Sequence, residues 1–210
     1  DGSMPHPNTE FEILYSQNIV MKNNLSHGGS ITIDHSNNVE IKDNQNIKTI
    51  ALKSAVSDIN IHDNSISWIN SEFSYWESGH GTGNIIKDNT ISYGIWYNTA
   101  FATGPVIITG NTFNGAQAGL LGIGYGNTDF NHWGIGSNKI TDNTFINGER
   151  GISLYGNNNS EISGNTFQGT NRAIVLVGSQ NNNIFNNNFL LVDIPVELEN
   201  TNNVVPKPQP

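Results

Sequence analysis

The stretch that decides the fold is Ile140-Thr141-Asp142-Asn143-Thr144-Phe145, because versions of it return along the whole chain. Three close copies and four looser ones share its pattern, and they begin at Ile86, Ile108, Ile162, Val20, Ile41, Ile61 and Ile184. Most copies follow one another after about 22 residues, which is the length of a structural repeat in a stacked array. A repeat that runs from end to end indicates one solenoid domain rather than two globular ones.

One asparagine recurs at a fixed place in these copies. We assign the column to Asn23, Asn44, Asn64, Asn89, Asn111, Asn143, Asn165 and Asn187. Stacked coils would place these amides one above another, where each N–H group can bond to the next carbonyl. The preceding residue is Asp, Gly or Asn, and these types tolerate left-handed backbone conformations. We interpret both columns as scaffold.

The aspartates of the preceding column raise the question of a metal. Asp43, Asp63 and Asp88 would stack like a calcium-binding row, but glycine takes their place in other copies. We therefore expect no metal site and no cofactor, and calcium stays a minor alternative.

Apolar and polar residues alternate within each copy, as in half-buried strands. A second apolar triplet follows each copy, and we place these triplets at 31–33, 50–52, 73–75, 95–97, 119–121, 152–154 and 174–176. One circuit would then hold three short strands and three turns. Successive circuits should stack at about 4.8 Å, the usual separation of neighbouring strands.

The Ile-x-Asp/Gly-Asn-Thr-Ile/Phe copies, which cover about residues 11 to 203, resemble those of right-handed parallel β-helix proteins, the pectin-lyase-like group. The resemblance implies an all-β, single-stranded right-handed parallel β-helix of about 8–9 coils. It also implies a carbohydrate partner and an extracellular, cell-surface or virion-surface location. We divide the chain into a cloning scar or disordered start (1–8), the β-helix domain (9–203) and a Pro-rich tail or linker (204–210).

Composition excludes several classes of function. The formal net charge is -9 and the pI is about 4.9. Nucleic acid is therefore not an expected partner, since phosphate binding needs a basic stripe. The absence of cysteine excludes thiolate chemistry. No apolar run in the sequence approaches the length of a membrane span.

The connections from the second triplet to the next copy are longer in three consecutive coils, and they should all leave at one corner. Insertions gathered on one face of a repeat array usually mark its binding face. They are rich in aromatic residues, which suit the apolar faces of sugar rings. The predicted substrate-binding residues are Trp76, Trp96, Phe101, Tyr125 and Trp133. An interface between chains, as in a homotrimer, and local packing of the aromatics remain the alternatives.

The same corner supplies candidates for catalysis. A glycosidase needs two carboxyl groups, about 5 Å apart or somewhat farther, and Glu77 and Asp129 are the pair that the insertions offer. His80 and His132 are the candidate acid, base or orienting groups.

The two arginines occupy matching positions in adjacent coils and make the only basic row that the repeats predict. We expect Arg150 and Arg172 to lie past the aromatic corner and to pair with Glu149 or Asp193.

Two functions follow. The first is an extracellular β-helix that recognises a polysaccharide, as a receptor-binding or structural segment of a surface or phage tail protein. The alternative is a polysaccharide-degrading or polysaccharide-modifying enzyme (glycoside hydrolase, lyase or epimerase) that acts at the corner formed by residues 68–133.

Overall fold

The computed structural model describes residues 9–71, 81–97, 105–114, 120–124, 137–199 and 201–204. These residues form 22 β-strands in two parallel sheets, which we call sheet A and sheet B. The chain alternates between the sheets, and every pairing joins strands of successive coils in parallel. This arrangement is a parallel β-helix, which confirms the predicted fold.

Sheet B has nine strands, and the described residues form about seven turns, slightly fewer than the predicted 8–9 coils. Its strands are β2 (Gln17–Lys22), β4 (Asn37–Lys42), β6 (Ser57–His62), β8 (Asn84–Lys87), β10 (Val106–Thr109), β13 (Lys139–Thr141), β16 (Glu161–Ser163), β19 (Gln180–Phe185) and β22 (Asn202–Val204).

Sheet A has 13 strands, because one strand per coil is replaced by two from the sixth coil onwards. The single strands are β1 (Thr9–Leu14), β3 (Ser30–Asp34), β5 (Ile47–Leu52), β7 (Ser65–Ser71) and β9 (Thr90–Tyr97). The split strands are β11 (Thr112–Asn114) with β12 (Leu120–Gly124), β14 (Thr144–Ile146) with β15 (Arg150–Tyr155), β17 (Thr166–Gln168) with β18 (Arg172–Val177), and β20 (Asn188–Leu190) with β21 (Ile194–Glu199).

The core is a set of apolar columns between the two sheets. In sheet B the first residues of the repeated phrase stack directly, as Ile86, Ile108, Ile140 and Ile162, and each is at most 1% exposed. In sheet A the last residues of the phrase form a stack of phenylalanine rings. Phe113, Phe145 and Phe167 are fully buried, with ring centroids 4.6 and 4.9 Å apart and nearly parallel planes.

The predicted asparagine ladder is present at the turn between sheets B and A. The central rung, Asn143, is fully buried, and its Nδ2 donates to Oδ1 of Asn165 at 3.0 Å. The same Nδ2 also donates to the carbonyls of Ile108 and Thr141. The first rung is Asn24 rather than the predicted Asn23, since Asn24 Nδ2 donates to Asn44 Oδ1 at 2.8 Å.

The residue that precedes each ladder asparagine has a left-handed backbone conformation, as predicted from its type, Asp, Gly or Asn. Asp142 has φ of 56° and Gly164 has φ of 67°. A Cβ atom at Gly164 would collide with the Asp142 carboxylate of the preceding coil. The requirement of this column is conformational, since Asp43, Asp63 and Asp88 carry Cβ atoms at the same place in successive coils and also have positive φ.

The predicted positions of the second triplets agree with the strand register in five coils and differ from it in two. In the fourth coil Ile69-Asn70-Ser71 pairs with Ile50-Ala51-Leu52, whereas the prediction placed the triplet at 73–75, which lies outside the described residues. In the sixth coil the register partner of Ile95 is Leu121, so the triplet is 121–123 and not 119–121. The cause is the change from single to split strands, which lengthens the path from the ladder to the triplet in the later coils.

Candidate functional site

Most of the predicted site residues lie outside the described residues. These are the catalytic candidates Glu77, His80, Asp129 and His132 and the binding candidates Trp76, Phe101, Tyr125 and Trp133. Trp96 is described. The connections that hold the others follow β7, β9 and β12, which are neighbours in sheet A. These connections therefore begin at the carboxyl ends of three neighbouring strands of sheet A, in three successive coils.

Trp96 lies on the outer face of sheet A. Its neighbours in β9, Ile95 and Tyr97, are buried in the core, so alternation directs the Trp96 side chain outwards. Its ring centroid is 6.5 Å from that of Tyr155, and the planes are inclined by 43°. The two residues are two coils apart, a separation of about 9.6 Å between strands. The rings therefore lean towards each other across the intervening coil, where Gly122 is the register partner of Trp96.

A second aromatic pair lies beside this one. Trp68 lies in strand β7. Its ring meets that of Tyr93 edge to face, with centroids 4.9 Å apart. Tyr93 is 48% exposed, and it occupies an irregularity in the pairing of β7 with β9. Asn70, two residues after Trp68, is the register partner of Trp96, so both aromatic pairs share one face.

Arg150 also lies on this face of sheet A, next to Tyr155. Its Nη1 donates to the Tyr155 hydroxyl at 3.2 Å. Arg172 is its register partner in the next coil and forms an ion pair with Glu197 at 3.4 Å. The predicted partners Glu149 and Asp193 take part in no ion pair among the described residues.

Ser153 lies between Arg150 and Tyr155 along β15. It is the register partner of Gly122, on the outer face, yet none of its surface is exposed. Its Oγ has no hydrogen-bond partner within the described part of the chain. The bond between the Arg150 guanidinium and the Tyr155 hydroxyl joins two outward side chains on either side of Ser153 along the strand.

We call this surface the aromatic face and define it by Trp68, Tyr93, Trp96, Arg150 and Tyr155. It crosses the coils of β7, β9, β12 and β15, a length of about 14 Å at the usual strand separation. Aromatic rings with a guanidinium beside them can pack against the C–H groups of a ligand and bind its polar substituents. Tyr93 and Tyr155 were missed by the sequence analysis because they do not lie in the insertions.

Sheet B carries a different cluster of titratable groups on its outer face. His62 Nε2 lies 3.0 Å from Glu40 Oε1, and His62 Nδ1 lies 2.7 Å from Asp63 Oδ2. Burial of the ring lowers the pKa of His62, but the hydrogen bonds to Asp63 and Glu40 outweigh it, so the pKa is raised above its ordinary value. Hydrogen bonds from His62 and Lys42 hold the pKa of the Glu40 carboxyl below its usual range.

His62 belongs to a column that the repeats did not predict as basic. Lys22, Lys42, His62 and Lys87 are register partners in successive coils of sheet B. The arginines are therefore not the only basic row. The carboxylates of Glu40 and Asp63 contact the two middle members of this column, Lys42 and His62.

The described residues hold no group of three or more His, Cys, Asp or Glu side chains placed to bind a metal ion. Within the same residues there is no helix with the length and apolar character needed to cross a membrane.

Comparison with known proteins gives one family. Residues 123–205 match the model of the family described as periplasmic copper-binding protein (NosD). The matched region runs from β12 to the last described strand, so it covers the later coils with their split strands. Neither the curated proteins nor the solved structures gave a match.

The copper in that family's description does not fit the residues present. Copper is bound in proteins chiefly by His, Cys and Met side chains. Residues 123–205 contain one such residue, His132, and it lies outside the described residues. The likeness to this family is therefore a likeness of the β-helix repeat.

Proposed function

We propose that this protein is a β-helix that works outside the cytoplasm and recognises a saccharide chain on the aromatic face. The location is supported by the family match, whose description is periplasmic, and by the resemblance of the repeats to pectin-lyase-like proteins. The binding is non-catalytic recognition, as in a receptor-binding or structural segment of a surface protein.

The observation that carries the proposal is the pairing of Trp96 with Tyr155. Their rings approach each other across a coil in which the register partner of Trp96 is a glycine, Gly122. Sugar rings present C–H groups that pack on aromatic planes, while their hydroxyls bond to polar groups at the rim. Trp68 and Tyr93 continue the aromatic surface along the solenoid axis, which suits an extended chain.

Binding of an oligosaccharide panel, measured by calorimetry, tests the proposal with three proteins. The wild type should bind at least one oligosaccharide, and Trp96→Ala should weaken that binding about tenfold, a loss of about 1.4 kcal/mol. The matched control is Tyr15→Ala, since Tyr15 is 77% exposed and stacks on His35 in the first coils, away from the aromatic face. The control should bind as the wild type does.

Two results would contradict the proposal. One is binding that Trp96→Ala and Trp68→Ala both leave unchanged, because the saccharide would then lie elsewhere. The other is the release of shorter products from a bound oligosaccharide, which would assign an enzyme. Thermal unfolding of each variant establishes that a loss of binding is not a loss of fold.

A further inference from the structure

We propose that copies of this protein stack end to end, with the last coil of one copy on the first coil of the next. The partner of each end is therefore a second copy of the same chain. The inference uses the two ends of the solenoid and does not depend on saccharide binding at the aromatic face.

The first observation is where the exposed apolar side chains lie. Among the described residues ten large apolar side chains are exposed, and nine of them belong to the first or the last described coil. The exception is Tyr93 on the aromatic face. The first coil exposes Phe11, Leu14, Tyr15, Val20 and Leu25, and the last coil exposes Leu190, Leu191, Ile194 and Leu198. Apolar surface gathered at both ends indicates association there.

The second observation is the direction of the asparagine ladder. In an interior rung the backbone N–H and the Nδ2 donate to Oδ1 of the asparagine in the next coil, as Asn111 does to Asn143. Oδ1 of the first rung, Asn24, accepts no hydrogen bond within the part of the chain that the structure describes. In the same part of the chain the backbone N–H of the last rung, Asn187, has no acceptor. The two ends are therefore complementary, since one presents an acceptor and the other a donor.

The third observation is that the apolar columns also match between the two ends. Val196 and Leu198 end the two inward columns of the second triplets, and Phe11 and Ile13 begin them. A copy stacked in the register of the internal coils would place Leu198 of one chain on Ile13 of the next. The outermost strands of a sheet also present unpaired backbone groups, which are a template for a strand of another chain. The contact would therefore repeat the stacking that already joins the coils within one chain.

The size and the charges of this contact make it weak. A coil of about 22 residues, at about 3.3 Å per residue, encloses about 400 Å², which is about half of what each partner buries in an interface of standard size. The same register places Glu197 of one copy opposite Glu12 of the next, and like charges so placed are destabilising. Pro195 in β21 has no N–H group to donate. We expect a dissociation constant on the order of 100 µM.

Sedimentation velocity of the folded chain, at concentrations on both sides of this value, tests the proposal. The mean mass of the wild type should rise with concentration beyond that of a dimer, because a contact between unlike ends leaves a free end on every assembly. Phe11→Lys and Leu198→Lys each place a charge in one end only, and each variant alone should stay monomeric. An equal mixture of the two should form dimers and nothing larger, because each variant keeps one intact end.

Matched controls separate the ends from the rest of the surface. Tyr93→Lys should associate as the wild type does, since Tyr93 is as exposed as Phe11, at 48%, but lies in a middle coil. Glu12→Gln removes the like-charge contact and should lower the dissociation constant about threefold. Glu149→Gln removes the same charge from an exposed position in a middle coil and should leave the constant unchanged. Thermal midpoints within a few degrees of the wild type establish that the variants fold.

Three results would overturn the inference. One is a wild type that keeps the mass of a single chain at concentrations about tenfold above the expected constant. Another is a mass that levels off at that of a dimer, which indicates a symmetric contact between like ends. The third is a mixture of Phe11→Lys and Leu198→Lys that stays monomeric while the wild type associates. None of these results bears on saccharide binding, which the titration of Trp96→Ala tests separately.

Discussion

Replacing Asn143 by alanine should destabilise the protein by about 3–5 kcal/mol, because the change removes one rung from the middle of the buried ladder. The backbone N–H and the Nδ2 of Asn111 both donate to Asn143 Oδ1, at 3.0 and 3.1 Å. In return, Asn143 Nδ2 donates to the carbonyls of Ile108 and Thr141. Alanine can replace none of these bonds.

The magnitude follows from the groups left behind. A buried donor without an acceptor costs about 1–3 kcal/mol, and this applies to the N–H of Asn111, which is fully buried. Each of the two carbonyls that lose a donor adds about 0.5–1.5 kcal/mol, the usual net value of a hydrogen bond. These contributions sum to about 2–6 kcal/mol, and the stated range is the middle part of that interval.

Two controls make the same chemical change where little is lost. Asn24 is the exposed first rung, and Asn114 is exposed at the end of β11. Alanine at either position should cost less than about 1 kcal/mol, as surface substitutions usually do. The free energies of unfolding of Asn114→Ala and Asn24→Ala should therefore be close to that of the wild type. That of Asn143→Ala should be much lower.

Urea unfolding followed by circular dichroism measures the free energies, and similar denaturant slopes among the variants would justify the comparison. A loss below about 1 kcal/mol in Asn143→Ala, or equal losses in Asn143→Ala and Asn24→Ala, would refute the reasoning, since burial of the orphaned groups would then carry no penalty.

Three further changes probe other parts of the scaffold. Phe145→Ala should cost about 3–5 kcal/mol in urea unfolding, because it leaves a cavity within the ring stack; a loss below 1 kcal/mol would contradict close packing there. Gly164→Ala should lower the thermal midpoint, since its φ is 67° and the new Cβ would collide with Asp142; an unchanged midpoint would show that the turn relaxes. The stability advantage of the wild type over His62→Gln should be full below about pH 6.5 and lost as pH rises through the raised folded-state pKa; an advantage that grows at high pH would reverse the sign.

The inward columns could be predicted from the sequence because stacking repeats one residue type in every coil. Asn44 and the ladder asparagines of the following coils were placed correctly for this reason. The first rung was misplaced because the copy there was aligned on Val20, which is 56% exposed, whereas Met21 is the register partner of Ile41. An apolar residue at the end of an array need not point inwards, so alignment by hydrophobicity fails there first.

The position of the second triplets could not be predicted in every coil, since it depends on whether sheet A runs straight or is split. The path from the ladder to the triplet has six residues from Asn89 to Ile95 but nine from Asn143 to Ile152. Applying the longer path to the fourth coil produced the error at 73–75. The contact of Arg150 with Tyr155 was missed for another reason: it joins two outward positions of one strand, and nothing in a repeat specifies it.

The outer column of sheet A argues that this face is where the molecule has been specialised. The inward column beside it repeats one kind of residue through Ile69, Ile95 and Ile152. The outward column has a different residue in every coil, in the order Asn70, Trp96, Gly122, Ser153, Val175 and Glu197. The outward column of sheet B varies as well, through Lys42, His62, Lys87 and Thr109, so variety alone does not distinguish the two sheets. What distinguishes sheet A is that its outward positions carry Trp68, Trp96 and Tyr155 and that the long connections follow strands of this same sheet. Aromatic side chains and long connections therefore coincide on one sheet, as expected of a surface that binds a ligand.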